Sequence, residues 1–217
     1  MRKRYPLSAL ALALALALAL GLGLALSPPA FAQQQEAAEL RQQWERVTTQ
    51  PGEQRDALAA LAERAEALVR QYPEAAELLT WQGIILASEA RERGGLGALN
   101  RARGAREALE RAIELDPQGL NGSAYVTLGA LYDRVPGGLI GFGDDDTAEA
   151  MFQRALAIRP QGIDVNFYYA EFLAESGRQD EAREHARRAL EGEARTERQA
   201  SDEALRTQAR ALLRRLE

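Results

Sequence analysis

The chain has no cysteine and one histidine, and only 6% of its 217 residues are aromatic. The missing cysteines exclude disulfides, thiolate metal sites and a cysteine nucleophile, so stability must come from packing alone. They also exclude lipid attachment at a bacterial export signal. The lone His185 sits one turn after Glu181, on what reads as the outward side of a helix. No convergent acid, nucleophile or second ligand accompanies it, so neither a metal site nor acid–base catalysis is signalled. β-Branched residues are few, and Ala, Leu, Arg and Glu dominate, which favours helix nearly everywhere. With 46% hydrophobic and 27% charged residues, the chain is neither disordered nor collagen-like.

The N-terminus carries an address. Arg2, Lys3 and Arg4 precede an apolar stretch from Leu7 to Leu26 that is unbroken Ala/Leu/Gly after Ser8, and Pro28-Pro29 is followed by Ala30-Phe31-Ala32. A basic start, an apolar core and a small-x-small site describe a cleavable signal peptide over residues 1–32, with a mature domain over 33–217. The apolar run also has the length of an uncleaved membrane anchor, which is the alternative. Cleavage removes Arg2, Lys3 and Arg4 but no acid, moving the formal charge from −5 to about −8. So acidic a domain is a poor nucleic-acid binder, and no basic amphipathic face suggests an anionic membrane. The expected location is the periplasm, with no membrane contact after cleavage.

The most ordered pattern runs from Tyr125 to Pro160. Tyr125, Leu128, Gly129 and Tyr132 share one helix face, and Ala148, Phe152 and Ala155 share another, closed by Pro160. Small residues at Gly129, Ala148 and Ala155 let two helix backbones approach, and the bulky ones fill the space beside them. This spacing resembles the tetratricopeptide repeat (TPR). The resemblance implies an all-α, TPR-like α-solenoid of three to four antiparallel helix hairpins with a C-terminal capping helix.

Other segments repeat the pattern. Leu61, Ala65, Leu68 and Pro73 keep the second-helix intervals, as do Ala105, Leu109, Ala112 and Pro117. Trp81, Ile84 and Ile85 stand where Tyr125, Leu128 and Gly129 stand, and Ile85 in place of glycine predicts a wider helix crossing. The expected repeats are about 40–74, 75–118, 122–161 and 163–196, with a capping helix over 201–216. Pro73 to Pro117 spans 44 residues and Pro117 to Pro160 spans 43, against about 34 in a plain repeat. The surplus falls between the two helices of each hairpin, predicting extended first helices and loops protruding on one side. Residues 33–39 read as a polar, mobile lead-in to a first helix anchored by Trp44. Gly177 marks a tight turn, and Ala182, Ala186 and Ala189 form the last small-residue stripe. A register that buries Ala170 rather than Glu171 fits the hairpin before them.

Three features invite chemistry. Asp144-Asp145-Asp146 lacks the alternating ligands of a calcium loop and fits a helix start instead, with Asp146 as N-cap and Glu149 its partner. Ser201 reads as the N-cap of the final helix, with Asp202 and Glu203 in its first turn. The glycine-rich segment 135–143 has neither the lysine of a phosphate loop nor a preceding strand. Its Leu139, Ile140 and Phe142 are expected to fold back over the helices, making one rim of a groove, or else to meet a partner.

By resemblance to the TPR family, ligand-facing positions lie on the first helix of each hairpin. Here they are Gln82, Leu86 and Glu89, then Val126, Ala130 and Asp133, then Phe167, Glu171 and Glu175. The function implied is a non-catalytic interaction scaffold of the cell envelope, without cofactor, holding a protein or peptide segment in a concave groove. The glycine-rich loop before Asp144 and Tyr168-Tyr169-Ala170-Glu171 are also similar to the TPR-type T components of TRAP transporters. That likeness covers roughly Tyr125 to Leu190 and implies an accessory role in organic-acid uptake.

Overall fold

The computed structural model describes residues 29–50 and 52–217. The charged start and apolar run of the expected signal lie outside the described residues. The first helix, α1, spans Pro29–Thr49. It runs through the expected cleavage site and through residues 33–39, so the predicted mobile lead-in is helix instead, consistent with its Gln, Glu and Ala content. Packing divides the chain after Gln35, and the helical architecture belongs to the unit Glu36–Glu217.

Eight further α-helices follow among the described residues: α2 Gln54–Gln71, α3 Ala76–Arg93, α4 Gly95–Leu115, α5 Ser123–Arg134, α6 Asp145–Ile158, α7 Ile163–Glu175, α8 Gln179–Glu191 and α9 Gln199–Leu216. A 3-10 turn, Thr196–Arg198, precedes α9. Helices pair as α3 with α4, α5 with α6, and α7 with α8, and α3, α5, α7 and α9 also touch in succession. That is a helical-repeat solenoid with an inner row and an outer row. The rows differ in burial as the sequence requires. Outer α8 buries only Ala182, Ala186 and Ala189, one stripe at helical spacing. Inner α3 buries residues around its whole circumference, including Leu78, Trp81, Ile84, Ile85 and Leu86, because neighbours flank it on several sides.

Glycines set the closest crossings. A Cβ on Gly129 would lie 2.7 Å from the Phe152 ring, so the buried Phe152 seats its edge on bare backbone. The same device joins α3 and α4, but at Gly83, where a Cβ would lie 2.4 Å from Leu109 Cγ and 3.1 Å from the Ala105 carbonyl oxygen. The wider crossing predicted from Ile85 is therefore corrected. The glycine stands two residues earlier, and Ile85 is fully buried core. At the α7–α8 turn Gly177 has φ +79°, with Arg178 N–H donating to the Leu173 carbonyl and Gly177 N–H to that of Ala174. This is a Schellman C-cap, which favours glycine.

Both predicted N-caps move. Asp144, not Asp146, caps α6 by accepting the Thr147 N–H at 2.8 Å, while Asp145 and Asp146 occupy the first turn. Glu149 turns away to accept from Tyr169 Oη and Arg178 Nη1, both at 2.6 Å. α9 starts two residues before Ser201, whose hydroxyl donates to the Arg198 carbonyl. His185 is half-buried rather than outward: Nδ1 lies 2.9 Å from Asn166 Oδ1, and the ring packs edge-on to Tyr169. Burial lowers its pKa.

Candidate functional site

The inner row curls until its ends meet. Trp44 on α1 donates its indole N–H to Ser88 Oγ on α3 at 2.8 Å and lies 5.9 Å from the Trp81 ring. Arg198, at the foot of α9, lays its guanidinium over Trp44 at 4.6 Å and near Trp81 at 5.7 Å. The Ser201 N–H donates to the Glu45 carboxylate at 2.6 Å. These contacts bring the last helix onto the first and leave a recess of about 710 Å³ between them. Such a volume is typical of a small-molecule pocket.

Residues from both rows and one loop surround the recess. α1 supplies Trp44 and Thr48; α3 supplies Ile84, Ala87 and Ser88; the start of α4 adds Ala98 and Ala102. α5 contributes Val126, Thr127, Ala130 and Leu131, and α7 contributes Asp164 and Tyr168. Arg198, Leu205 and Gln208 close the far side, and Val135, Pro136 and Ile140 of the glycine-rich loop form a rim. Outer helices α6 and α8 take no part.

Of the positions expected to face a ligand, the structure brings Val126 and Ala130 to the recess. Leu86 and Glu89 pack toward α4 instead. Leu86 Cδ1 lies beside Gly104, and the fully buried Glu89 accepts from Arg93 at 2.6 Å. Arg101 Nε lies 3.0 Å from the other Glu89 oxygen, near enough for an ion pair though not aligned as a hydrogen bond. Gln82 is half-buried outside the recess. Phe167 is core, in one cluster with Ile163, Ala189 and Leu205. Its neighbour Tyr168 faces the recess, while the expected register of α7, with Ala170 buried and Glu171 not, holds. Glu171 pairs with Arg134 at 2.6 Å, and Glu175 is exposed. Asp133 lies at the end of α5, where burial and then the nearby Glu175 push its pKa up to about 6.

The charges around the recess are unequal in their pairing. Asp164 is buried yet ionised. Burial pushes its carboxyl up, but Arg195 and Arg159 outweigh that and hold it below the usual range. Its oxygens lie 2.6 Å from Arg159 and 3.0 Å from Arg195, and Arg195 also grips Asp202 at 2.6 Å. Arg91 and Arg134 at the mouth pair with Glu92 and Glu171. Arg198 is 9% exposed and has no ion pair among the described residues. Burial lowers its pKa to about 10, the like charge of Arg195 adding to the effect against Asp164, Asp202 and Glu45.

The glycine-rich loop divides its apolar residues. Phe142 folds back, held between Tyr132 at 5.4 Å and the Arg106 guanidinium at 4.5 Å, whereas Leu139 and Ile140 stay exposed. No group of three or more His, Cys, Asp or Glu that could hold a metal occurs among the described residues. Nor is any helix among them long and apolar enough to cross a membrane.

Residues 139–216 match a family model described as tetratricopeptide repeat. A crystal structure described as a thermophilic TPR protein in Thermus thermophilus is similar in fold, with TM-score 0.56 and 21% sequence identity. The alignment covers 72% of this chain and 73% of that one. No curated protein matches the sequence.

Proposed function

We propose that this chain, matched by a tetratricopeptide-repeat model over residues 139–216 and folded as a helical-repeat solenoid, is a non-catalytic interaction scaffold holding a partner segment in the recess of its inner helix row. One observation carries this reading: residues from five inner helices and a loop converge on a single recess. A fold makes such a face available, and its side chains decide what it holds. The Arg2–Ala32 stretch, read as an export signal, supports a periplasmic setting with an envelope protein or peptide as partner. Among the expected contact residues, Val126 and Ala130 have the geometry for the role. We extend the set to Thr127 and Tyr168, which face the same space.

Affinity capture from an envelope fraction tests the reading, with the wild-type chain set beside Ala130→Arg. A partner held in the recess is lost from the variant. Recovery of the same partners by both chains overturns the assignment.

A second reading, accessory handling of a small organic solute, draws support from one feature. Val135, Pro136 and Ile140 of the loop rise over the recess and narrow it to a volume suited to a small molecule. Binding of a solute without any captured protein favours this reading over the first.

A further inference from the structure

Arg198 is the feature the scaffold reading leaves unexplained. An arginine removed from water is ordinarily balanced by an acid, because an unpaired buried charge is costly. Here the available acids are engaged. Asp164 is shared between Arg159 and Arg195, and both Asp202 oxygens bond Arg195, at 2.6 and 3.0 Å. Glu45 faces Arg198 from α1, with one carboxylate oxygen taken by the Ser201 N–H and the other without a hydrogen-bond partner. Its field reaches Arg198, but the two form no ion pair. The Arg198 Nε is buried without a partner, and the planar head rests on the Trp44 face. Stacking fixes the plane of the guanidinium and leaves its edge for a ligand.

We infer that the recess binds a small amphiphilic monocarboxylate, its carboxylate on the Arg198 guanidinium and its apolar body along Ile84, Ala87, Val126, Leu131 and Leu205. A planar carboxylate matches the guanidinium fork. A single negative charge is selected, because Asp164 and Glu45 stand close enough to repel a second. The apolar walls and the recess volume suit a chain or ring of drug-like size. This inference rests on the second reading, a small organic solute held in the recess, and names the chemistry of that occupant.

The chain supplies its own reporter, since its two tryptophans, Trp44 and Trp81, both lie beneath Arg198. Titration of the full chain with decanoate is expected to give a saturable change in tryptophan fluorescence. Decanol, equally apolar but neutral, binds about tenfold more weakly or worse, as does decanoate to Arg198→Met. Ala130→Phe, a change on α5 that leaves Arg198 in place, narrows the recess, is expected to weaken decanoate binding about tenfold, and keeps the inference testable should Arg198→Met fail to fold. Equal affinity for decanoate and decanol overturns the assignment to Arg198. Unchanged decanoate binding by Ala130→Phe overturns the assignment to the recess. Tighter binding of a carboxylate-terminated apolar hexapeptide than of decanoate overturns the small-molecule occupant in favour of a chain end. None of these results alters the capture experiment with Ala130→Arg, so failure of this inference is distinguishable from failure of the scaffold reading.

Discussion

The second and third hairpins carry nearly the same surplus of sequence and use it in opposite ways. From Trp81 to Ala105 is 24 residues and from Tyr125 to Ala148 is 23. In the second hairpin the surplus is helix: α3 has 18 residues, α4 has 21, and only Gly94 separates them. In the third, α5 and α6 have 12 and 14 residues, and the surplus is an ordered loop. Local chemistry decides between them. Around Gly94 and Gly95 the residues, Gly97 apart, are Ala, Leu, Arg and Glu, good helix formers that resume once the two glycines, at φ +67° and +63°, have turned the chain. In the third hairpin Pro136 drives Val135 to an extended backbone, and Gly137, Gly138, Gly141 and Gly143 follow. The loop is tight: a Cβ on Gly143 would lie 1.8 Å from the Val135 carbonyl oxygen, and one on Gly141 2.1 Å from that of Pro136. Equal length therefore does not imply equal structure. The helical surplus lengthens the core, and the looped one places a rim on the recess.

The two hairpins share one packing device, and removing it gives the largest expected effect. Phe152→Ala is expected to cost about 3–5 kcal/mol and Leu109→Ala about 2–5 kcal/mol, measured by urea denaturation. A loss below about 1 kcal/mol in either would break the parallel between Gly129 and Gly83. The connectors should then separate. Gly143→Ala, meeting backbone at 1.8 Å, is expected to cost about 2–3 kcal/mol. Gly94→Ala has open space around it and bears only a backbone penalty, about 1–3 kcal/mol, because φ +67° with ψ 170° lies in a region nearly confined to glycine. A loss at Gly143 smaller than that at Gly94 would mean the loop is not held as described.

A smaller effect depends on pH. Asp133 has a raised pKa of about 6, caused first by burial and then by Glu175, against an ordinary value of 3.8. The folded protein holds this proton more tightly than the unfolded chain. The group therefore lowers stability as pH rises from about 4 to about 6, and the loss persists above that. Asp133→Asn is expected to gain about 1 kcal/mol at pH 7, allowing for solvent screening, and nothing at pH 4. Smallest of all, Leu139→Ser on the exposed loop should leave stability within about 0.5 kcal/mol.

The repeat pattern is readable from sequence because it rests on volume and period. Ala148, Phe152 and Ala155 are buried on one stripe of α6, as their spacing requires, and Ala170 is buried where Glu171 is not. The face turned to the recess is harder to read, for a reason specific to inner-row helices. α3 and α7 are apolar on more than one side, so a periodic stripe does not single out the face turned to the recess. That ambiguity puts Phe167 forward in place of Tyr168, and Leu86 and Glu89 in place of Ala87 and Ser88. The pairing of Arg198 with Trp44 escapes sequence reading for a different reason. The two lie 154 positions apart and meet only because the row of helices curls back on itself. No local signal reports such closure. A basic residue just ahead of a capping helix reads as an ordinary solvated charge.

The most direct test of the recess as the working surface uses the absence of cysteine. Thr127→Cys places a single thiol facing the recess, and Ala150→Cys places one on the exposed outer row. Maleimide labelling is followed with and without the partner recovered by affinity capture. The partner is expected to slow labelling at position 127 and to leave position 150 unchanged. Unaltered labelling at 127, or protection at 150 alone, would contradict the recess as the working surface.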